Sequence, residues 1–183
     1  MTFKETKMKL YVARHGQTDW NSENRVCGSA NRPLTDLGKE QAKALAENMK
    51  DKGIDVIIAS PMMRAMQTAG AVSLATGIPV MMDDRLREHD YGTFEGIDRT
   101  KDEYWQQKYQ FAAKFPQGES VLQLAQRVYN LLDDVKKAYP DKTVLLVCHG
   151  GVSRMIKTYF EDMTNDEFFH YSPENAFVAE YEM

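Results

Sequence analysis

Three short apolar runs constrain this chain more than anything else in it: Lys9-Leu10-Tyr11-Val12-Ala13, Asp55-Val56-Ile57-Ile58-Ala59 and Thr143-Val144-Leu145-Leu146-Val147. Each is nearly continuous in apolar residues rather than alternating, as in strands covered on both faces. Each is followed by a stretch with helical apolar spacing. Buried strands separated by helices build a mostly parallel sheet, so the expected fold class is α/β, with three layers in the order α/β/α. The 183 residues make about one domain, 1–183, of a size that buries roughly 70% of its unfolded surface without metal or disulfide staples.

Local signals fill in the order of elements. Thr35 caps a helix running through Leu37, Leu45 and Met49 to about Asp51, with Gly53 just past its end. Ser60-Pro61 reads as an N-cap followed by an N1 proline, opening a helix that runs to Thr76. Residues 79–82 suggest a short strand. Residues 98–118 read as a helical insert that groups Tyr104, Trp105, Tyr109, Phe111 and Phe115, either as a lid over a site or as packing against the body. Glu119 to Ala138 predicts a long helix with Leu122, Ala125, Val128, Leu131, Leu132 and Val135 on one stripe. Ala176 to Tyr181 alternates, as a final edge strand does.

Composition excludes several classes. Apolar residues are 43% and charged residues 27% of the chain, which rules out disorder, collagen and coiled coil. No apolar stretch approaches the ~20 residues that span a bilayer. The net charge of −4 comes without a dense Lys/Arg run, which argues against nucleic acid as a partner. Met1 to Lys7 is charged and no apolar segment follows, unlike a secretory signal. Cys27 and Cys148 are the two cysteines; one disulfide is arithmetically available, but reduced thiols in a cytoplasmic protein are the favoured reading.

Ligands of such sheets sit beyond the carboxyl ends of the strands, and the reactive residues cluster there. Arg14-His15-Gly16 closes the first run, Ser60 to Arg64 follows the second, and Cys148-His149-Gly150-Gly151 follows the third. Arg14 at a strand end calls for an anion. Arg64, in the first turn of a helix, is electrostatically awkward unless an anion lies between it and the helix dipole. Asn21 and the small residues around Gly28 and Ser29 offer neutral donors. Glu88 lies in a loop dense in ionisable groups, punctuated by glycines and anchored by aromatics. Two histidines, two arginines and a carboxylate at strand ends compose a phosphate site with a nucleophile and an acid.

The motifs resemble those of the histidine phosphatase superfamily, also called the phosphoglycerate mutase-like family. Arg14-His15-Gly16-Gln17-Thr18-Asp19-Trp20-Asn21 matches its signature, and Pro33-Leu34-Thr35-Asp36-Leu37-Gly38 follows. Ser60-Pro61-Met62-Met63-Arg64-Ala65-Met66-Gln67-Thr68, the acid loop at Glu88 and Val147-Cys148-His149-Gly150-Gly151 complete four ordered motifs between Leu10 and about Tyr159. The resemblance implies a phosphoglycerate mutase-like fold and attack on phosphorus by His15, giving a phosphohistidine. It implies that Glu88 protonates the leaving alkoxide and later takes a proton from water. The implied phosphate-binding set is Arg14, Asn21, Cys27, Gly28, Arg64, His149 and Gly150. No metal and no cofactor is implied, since fixed cations supply the electrostatics.

Alternatives remain at this point. Cys148-His149-Gly150-Gly151-Val152-Ser153-Arg154 fits the Cys-x5-Arg loop of cysteine-dependent phosphatases. That reading leaves Arg14, His15, Arg64 and Glu88 without work. A phosphoglycerate mutase is the runner-up, but His89 stands where mutases of the family put a substrate-binding arginine, and only about 20 residues separate Gly96 from Pro116. A catalytically silent phosphate-binding protein is disfavoured because every catalytic position is filled. The expected ligand is a small phosphate ester, with no membrane partner and with oligomeric state, a homodimer included, left open.

Overall fold

The computed structural model describes residues 7–183; the Met1-to-Lys7 segment discussed above lies, but for Lys7, outside them. The elements are β1 (Lys9–Arg14), α1 (Asp19–Ser22), α2 (Asp36–Lys50), β2 (Val56–Ala59), α3 (Met63–Thr76), β3 (Val80–Met82), α4 (Asp102–Lys108), α5 (Val121–Ala138), β4 (Thr143–Cys148), α6 (Gly150–Phe160), α7 (Asn165–His170) and β5 (Val178–Glu182). They form a five-stranded sheet in the order β3-β2-β4-β1-β5. All neighbours are parallel except β5, which runs antiparallel along the edge of β1.

The strands divide their side chains between two cores, as the pleat requires. Leu10, Val12, Ile58, Val144 and Leu146 face α5, α6 and α7, where Leu124, Val128, Leu131, Leu132, Ile156 and Phe169 complete one core. Tyr11, Ala13, Ile57, Ala59, Leu145 and Val147 face α2 and α3, packing on Leu45, Met49, Ala65, Ala69 and Val72. This is the expected three-layer α/β/α fold. Cys27 and Cys148 are both buried and free. Among the described residues no helix is long and apolar enough to cross a membrane.

Several local expectations change. Ser60 does not cap α3: Met62 is the N-cap residue and the helix begins at Met63. The proline is instead held just outside the helix, and the Ser60 hydroxyl is drawn to a distant histidine described below. Helical structure in the 98–118 segment is confined to α4. Asp98 ends the preceding loop in a turn, its Oδ1 accepting from the backbone and hydroxyl of Thr100, each at 2.8 Å. After Tyr109 the chain turns through Gln117 at a φ of 62° and Gly118, whose N–H donates to Phe115 at 2.8 Å. Helices α1 and α7 carry no sequence signal, because neither is long enough to show an apolar period.

The phase of α5 also differs. Ser120 caps it in a capping box with Gln123, and the buried stripe is Val121, Leu124, Val128, Leu131, Leu132 and Val135. Leu122 is 56% exposed. At 3.6 residues per turn Leu122 lies about 120° round the helix from Val128, whereas Val121 lies within about 20° of it. Leu37 in α2 is likewise on the solvent side. We expect Leu124→Ala to cost about 3 kcal/mol in chemical denaturation and Leu122→Ala no more than about 0.5 kcal/mol. Equal losses would contradict this helix phase.

Candidate active site

The sheet itself brings the two histidines together. Strands β1 and β4 are parallel neighbours with Arg14 opposite Cys148, so His15 and His149 each follow the last paired residue of their strand. The His15 N–H continues the ladder to Cys148 O at 3.0 Å. The imidazole centroids stand 5.1 Å apart. Gly16, next along, is required by a close approach: a Cβ there would lie 2.3 Å from Gly38 O at the start of α2.

Arg64 lies between the imidazoles and is fully buried. Its Nε donates to His15 Nε2 at 3.2 Å and to His149 Nδ1 at 3.1 Å, while its fork is anchored on Ala30 O at 2.7 Å and Gly28 O at 2.8 Å. Those bonds fix the tautomers. His15 keeps its proton on Nδ1, which donates to Gly16 O at 2.6 Å, and its Nε2 carries the lone pair. His149 keeps its proton on Nε2, which donates to Ser60 Oγ at 2.8 Å. Burial, then the Arg64 and Arg14 charges, hold the His15 pKa well below its ordinary value; burial and Arg64 do the same to His149. Both rings are therefore neutral at neutral pH, and His15 presents an unprotonated nitrogen.

Arg14 bonds through Nη1 to Pro173 O. Its Nε is the one buried side-chain nitrogen or oxygen among the described residues with no hydrogen-bond partner. Burial, then the Arg99 charge, lowers its pKa to about 10, so it stays a cation at neutral pH. Gly150 leaves the adjacent space open: a Cβ there would sit 3.7 Å from Arg14 Nε and 3.9 Å from Glu88 Oε2. Glu88, 7% exposed, accepts the N–H of His89 at 2.8 Å and that of Gly151 at 3.0 Å. The loop bearing Glu88 is clamped by Arg127, which donates to the carbonyls of Arg85 and Arg87, both at 2.6 Å, and of Glu88 at 3.1 Å. Arg127 is itself held by both oxygens of Glu119 at 2.8 Å.

In front of His15 opens a cavity of about 360 Å³. Arg14, His15, Asn21, Cys27, Glu88 and Gly150 line it, together with Tyr104 and Trp105 of the aromatic segment, Arg154 of the Cys-x5-Arg alternative, and Arg99, Lys108, Phe169 and His170, which the sequence did not flag. Arg64 and His149 lie behind His15 rather than on the cavity wall. The Asn21 Oδ1 accepts from the Thr18 N–H at 3.1 Å and from Asn175 Nδ2 at 3.2 Å, which leaves the Asn21 amide nitrogen for a ligand. Gly28 does not line the cavity. Its N–H and that of Ser29 go to Glu95 at 3.0 and 2.8 Å, and a Cβ on Gly28 would meet His89 O at 2.2 Å. Its part is to carry the carbonyl that holds Arg64. His89 turns away from the cavity, bonding Glu119 O at 3.0 Å and meeting Phe115 edge-on at 5.3 Å. The 98–118 segment forms one wall, with Tyr104 packed against Tyr91 and Phe115. A second, shallower groove of about 830 Å³ between α2 and α3 holds none of these groups.

Cys148 is fully buried in the α5–α6 core. Burial pushes its thiol up to about 12, whereas a nucleophilic cysteine must be a thiolate. Arg154, the would-be clamp of the Cys-x5-Arg reading, donates instead to Tyr171 O at 2.9 Å. The geometry thus assembles a neutral imidazole, the buried Arg14 guanidinium and a carboxylate around a space sized for a small ligand, with a second buried guanidinium, Arg64, directly behind the imidazole.

Comparison with known proteins agrees with the motifs. A family model described as "Histidine phosphatase superfamily (branch 1)" matches residues 10–183. A curated protein of Escherichia fergusonii named "Probable phosphoglycerate mutase GpmB" is 36% identical over 150 residues, 78% of this chain and 70% of that protein. Its counterpart in Enterobacter sp. is 38% identical over the same shares. Among solved structures, a mycobacterial glucosyl-3-phosphoglycerate phosphatase in complex with VO3 superposes with a TM-score of 0.84 at 28% identity, covering 94% of this chain and 90% of that one.

Proposed function

Because this chain belongs to the histidine phosphatase superfamily, an enzymatic family of phosphatases and mutases, we propose that it is a metal-independent phosphomonoesterase of small phosphorylated metabolites. The observation that carries this reading is the orphaned Nε of Arg14, which lines the same cavity as His15 with its unprotonated Nε2. A buried donor without an acceptor is costly, and a phosphoryl oxygen in the cavity supplies the acceptor.

The steps follow from the donors. A phosphoryl group entering beside Arg14 offers Arg64 a charged acceptor in place of His15, which uncovers the Nε2 lone pair. Nε2 then attacks phosphorus; the N–P bond forms, the ester P–O bond breaks, and Glu88 gives its proton to the leaving alkoxide. Arg14, Arg64 and the Asn21 amide hold the equatorial oxygens as charge spreads over them, while His149 keeps Arg64 in place through its Nδ1. Water then attacks the phosphohistidine, its proton passes to Glu88, and inorganic phosphate leaves. Cationic side chains perform the charge stabilisation that a metal ion supplies elsewhere. Two free, buried cysteines support a reducing, cytoplasmic setting.

The mutase reading is favoured by the names of the curated relatives. Against it, His89 points to Phe115 rather than into the cavity, so no arginine-like contact to substrate arises there. The test is 3-phosphoglycerate in the presence of EDTA. We expect inorganic phosphate to accumulate without comparable 2-phosphoglycerate, and the rate to be the same without chelator. Isomerisation far outrunning phosphate release would establish the mutase. Activity lost on chelation and restored by a divalent ion would overturn the metal-free mechanism.

A further inference from the structure

The loop that carries Glu88 has little regular structure of its own. Between β3 and α4 it forms only two short 3-10 turns, Asp84–Leu86 and Gly92–Phe94, so its shape depends on what it is tied to. A general acid must nevertheless deliver its proton from a fixed place, since a misplacement of about 1 Å at a reacting group can cost ~10²-fold in rate. The two Glu88 oxygens are fixed by backbone N–H groups, of His89 in the same loop and of Gly151 at the start of α6. Both bonds depend on where the Glu88 backbone is held.

Arg127 holds it, and a guanidinium has five N–H groups to do so. Two go from Nη1 to Arg85 O and Arg87 O, one goes from Nη2 to Glu88 O, and the remaining two, on Nε and Nη2, go to the Glu119 oxygens. The backbone around the acid is thereby referenced to α5, at a position next to the fully buried Val128. Glu119 adds its own ties to the following residues. Its Oε2 accepts the Asp90 N–H at 3.1 Å, its N–H donates to Asp90 O at 3.0 Å, and its carbonyl accepts from His89 Nε2 at 3.0 Å. Burial would raise the Glu119 carboxyl, but the hydrogen bonds and charge of Arg127 hold it below its ordinary range, so the pair is ionised at neutral pH.

Neither side chain is among the described residues lining the cavity in front of His15. Both line a separate hollow of about 400 Å³ that shares Glu88 with that cavity. An ion pair kept for stability alone needs only its carboxylate partner, whereas three of the five Arg127 donors are spent on the acid loop. We propose that Arg127 and Glu119 are positioning residues for proton transfer: together they set the loop so that Glu88 meets the leaving oxygen as the ester P–O bond breaks. The holding part of this inference stands by itself; the catalytic part rests on the phosphatase reading with Glu88 as its acid.

Such a device matters only when the leaving group needs a proton. p-Nitrophenolate leaves without one and an aliphatic alkoxide does not. The experiment therefore compares kcat/KM on p-nitrophenyl phosphate with that on an aliphatic ester, glycerol 3-phosphate or 3-phosphoglycerate, whichever turns over faster. Glu88→Gln should lower the aliphatic rate about tenfold or more beyond any loss on p-nitrophenyl phosphate. Arg127→Gln should shift the same ratio in the same direction by about fivefold or more. Glu119→Gln, which keeps the side-chain shape, should shift it about threefold, and carries the test if the Arg127 variant does not fold. Added to Glu88→Gln, Arg127→Gln should move the ratio by less than about twofold, because no proton is left to place. A merely structural role lowers the melting temperature and both rates alike; an unmoved ratio, or full additivity in the double variant, would overturn the catalytic part.

Amide exchange at His89 and Gly151, followed by NMR, reads the holding without turnover. Protection of both should fall about tenfold in Arg127→Gln relative to amides of β1 and β4, and unchanged protection would overturn the holding part. Lost protection together with no phosphate released from any ester by the wild type would sustain the holding and reject the phosphatase. Turnover with a Glu88→Gln protein indifferent to the leaving group would remove Glu88 as the acid, and the catalytic part with it.

Discussion

The His15→Ala protein is expected to lose at least ~10⁴-fold in kcat/KM on p-nitrophenyl phosphate while remaining folded. No other nucleophile is within reach. His149 has its Nδ1 against Arg64 and its Nε2 proton on Ser60, and Cys148 is a neutral thiol in the core. The cost to stability is smaller, about 1–3 kcal/mol, because Arg64 retains His149, Gly28 O and Ala30 O as acceptors. Circular dichroism and thermal melting separate the two effects. Cys148→Ser is the matching control: it places a hydroxyl in the α5–α6 core and costs stability, but should retain most turnover. A folded, inactive Cys148→Ser protein beside an active His15→Ala protein would reverse the assignment. Label trapped on the wild-type enzyme should be lost in acid and kept in base, as for a phosphoramidate.

Arg64→Lys should have the second largest effect, about 10²–10³-fold in kcat/KM, although it conserves the charge. One guanidinium spans four acceptors here: two imidazole nitrogens through Nε and two carbonyls through the fork. A lysine ammonium of shorter reach cannot meet that plane. The orphaned carbonyls of Gly28 and Ala30 should add about 1–3 kcal/mol of destabilisation. Inhibition constants for inorganic phosphate should weaken in parallel with kcat/KM. Retention of more than a tenth of wild-type activity would show that charge alone, not the fork, does the work at this position.

How much of this was legible in the sequence depended on the range of each interaction. The three apolar runs became β1, β2 and β4, because burial on both faces writes itself into consecutive residues. Thr35 and Gly53 marked the ends of α2 because caps act within a turn. Ser60 misleads for the complementary reason. A serine before a proline carries the local signature of a cap, and nothing nearby reveals that its hydroxyl accepts a hydrogen bond from a histidine 89 residues away. The stripe of α5 was phased wrongly at Leu122, since apolar residues stand at both 121 and 122 and only the Ser120 cap decides between them. Arg127, Lys108, Arg99 and Asn175 gave no signal at all. Each is a lone polar residue whose role comes from the loop or helix that the fold lays against it. Charge density around Glu88 was visible, but not that a distant arginine clamps three of the loop's carbonyls.

The two sides of the cavity are built on different principles. His15 and His149 directly follow adjacent parallel strands in the middle of the sheet, where a register slip of one residue in either strand would turn its histidine to the wrong face. The opposite side hangs on a loop, a two-turn helix and the short α7, joined by contacts such as Lys108 to Phe169 and Trp105 to His170. Descendants of this chain can therefore exchange or lengthen residues 98–118 and acquire new appetites while the bond-breaking apparatus stays untouched. Drift in taste is cheap in such an architecture, and drift in chemistry is nearly forbidden.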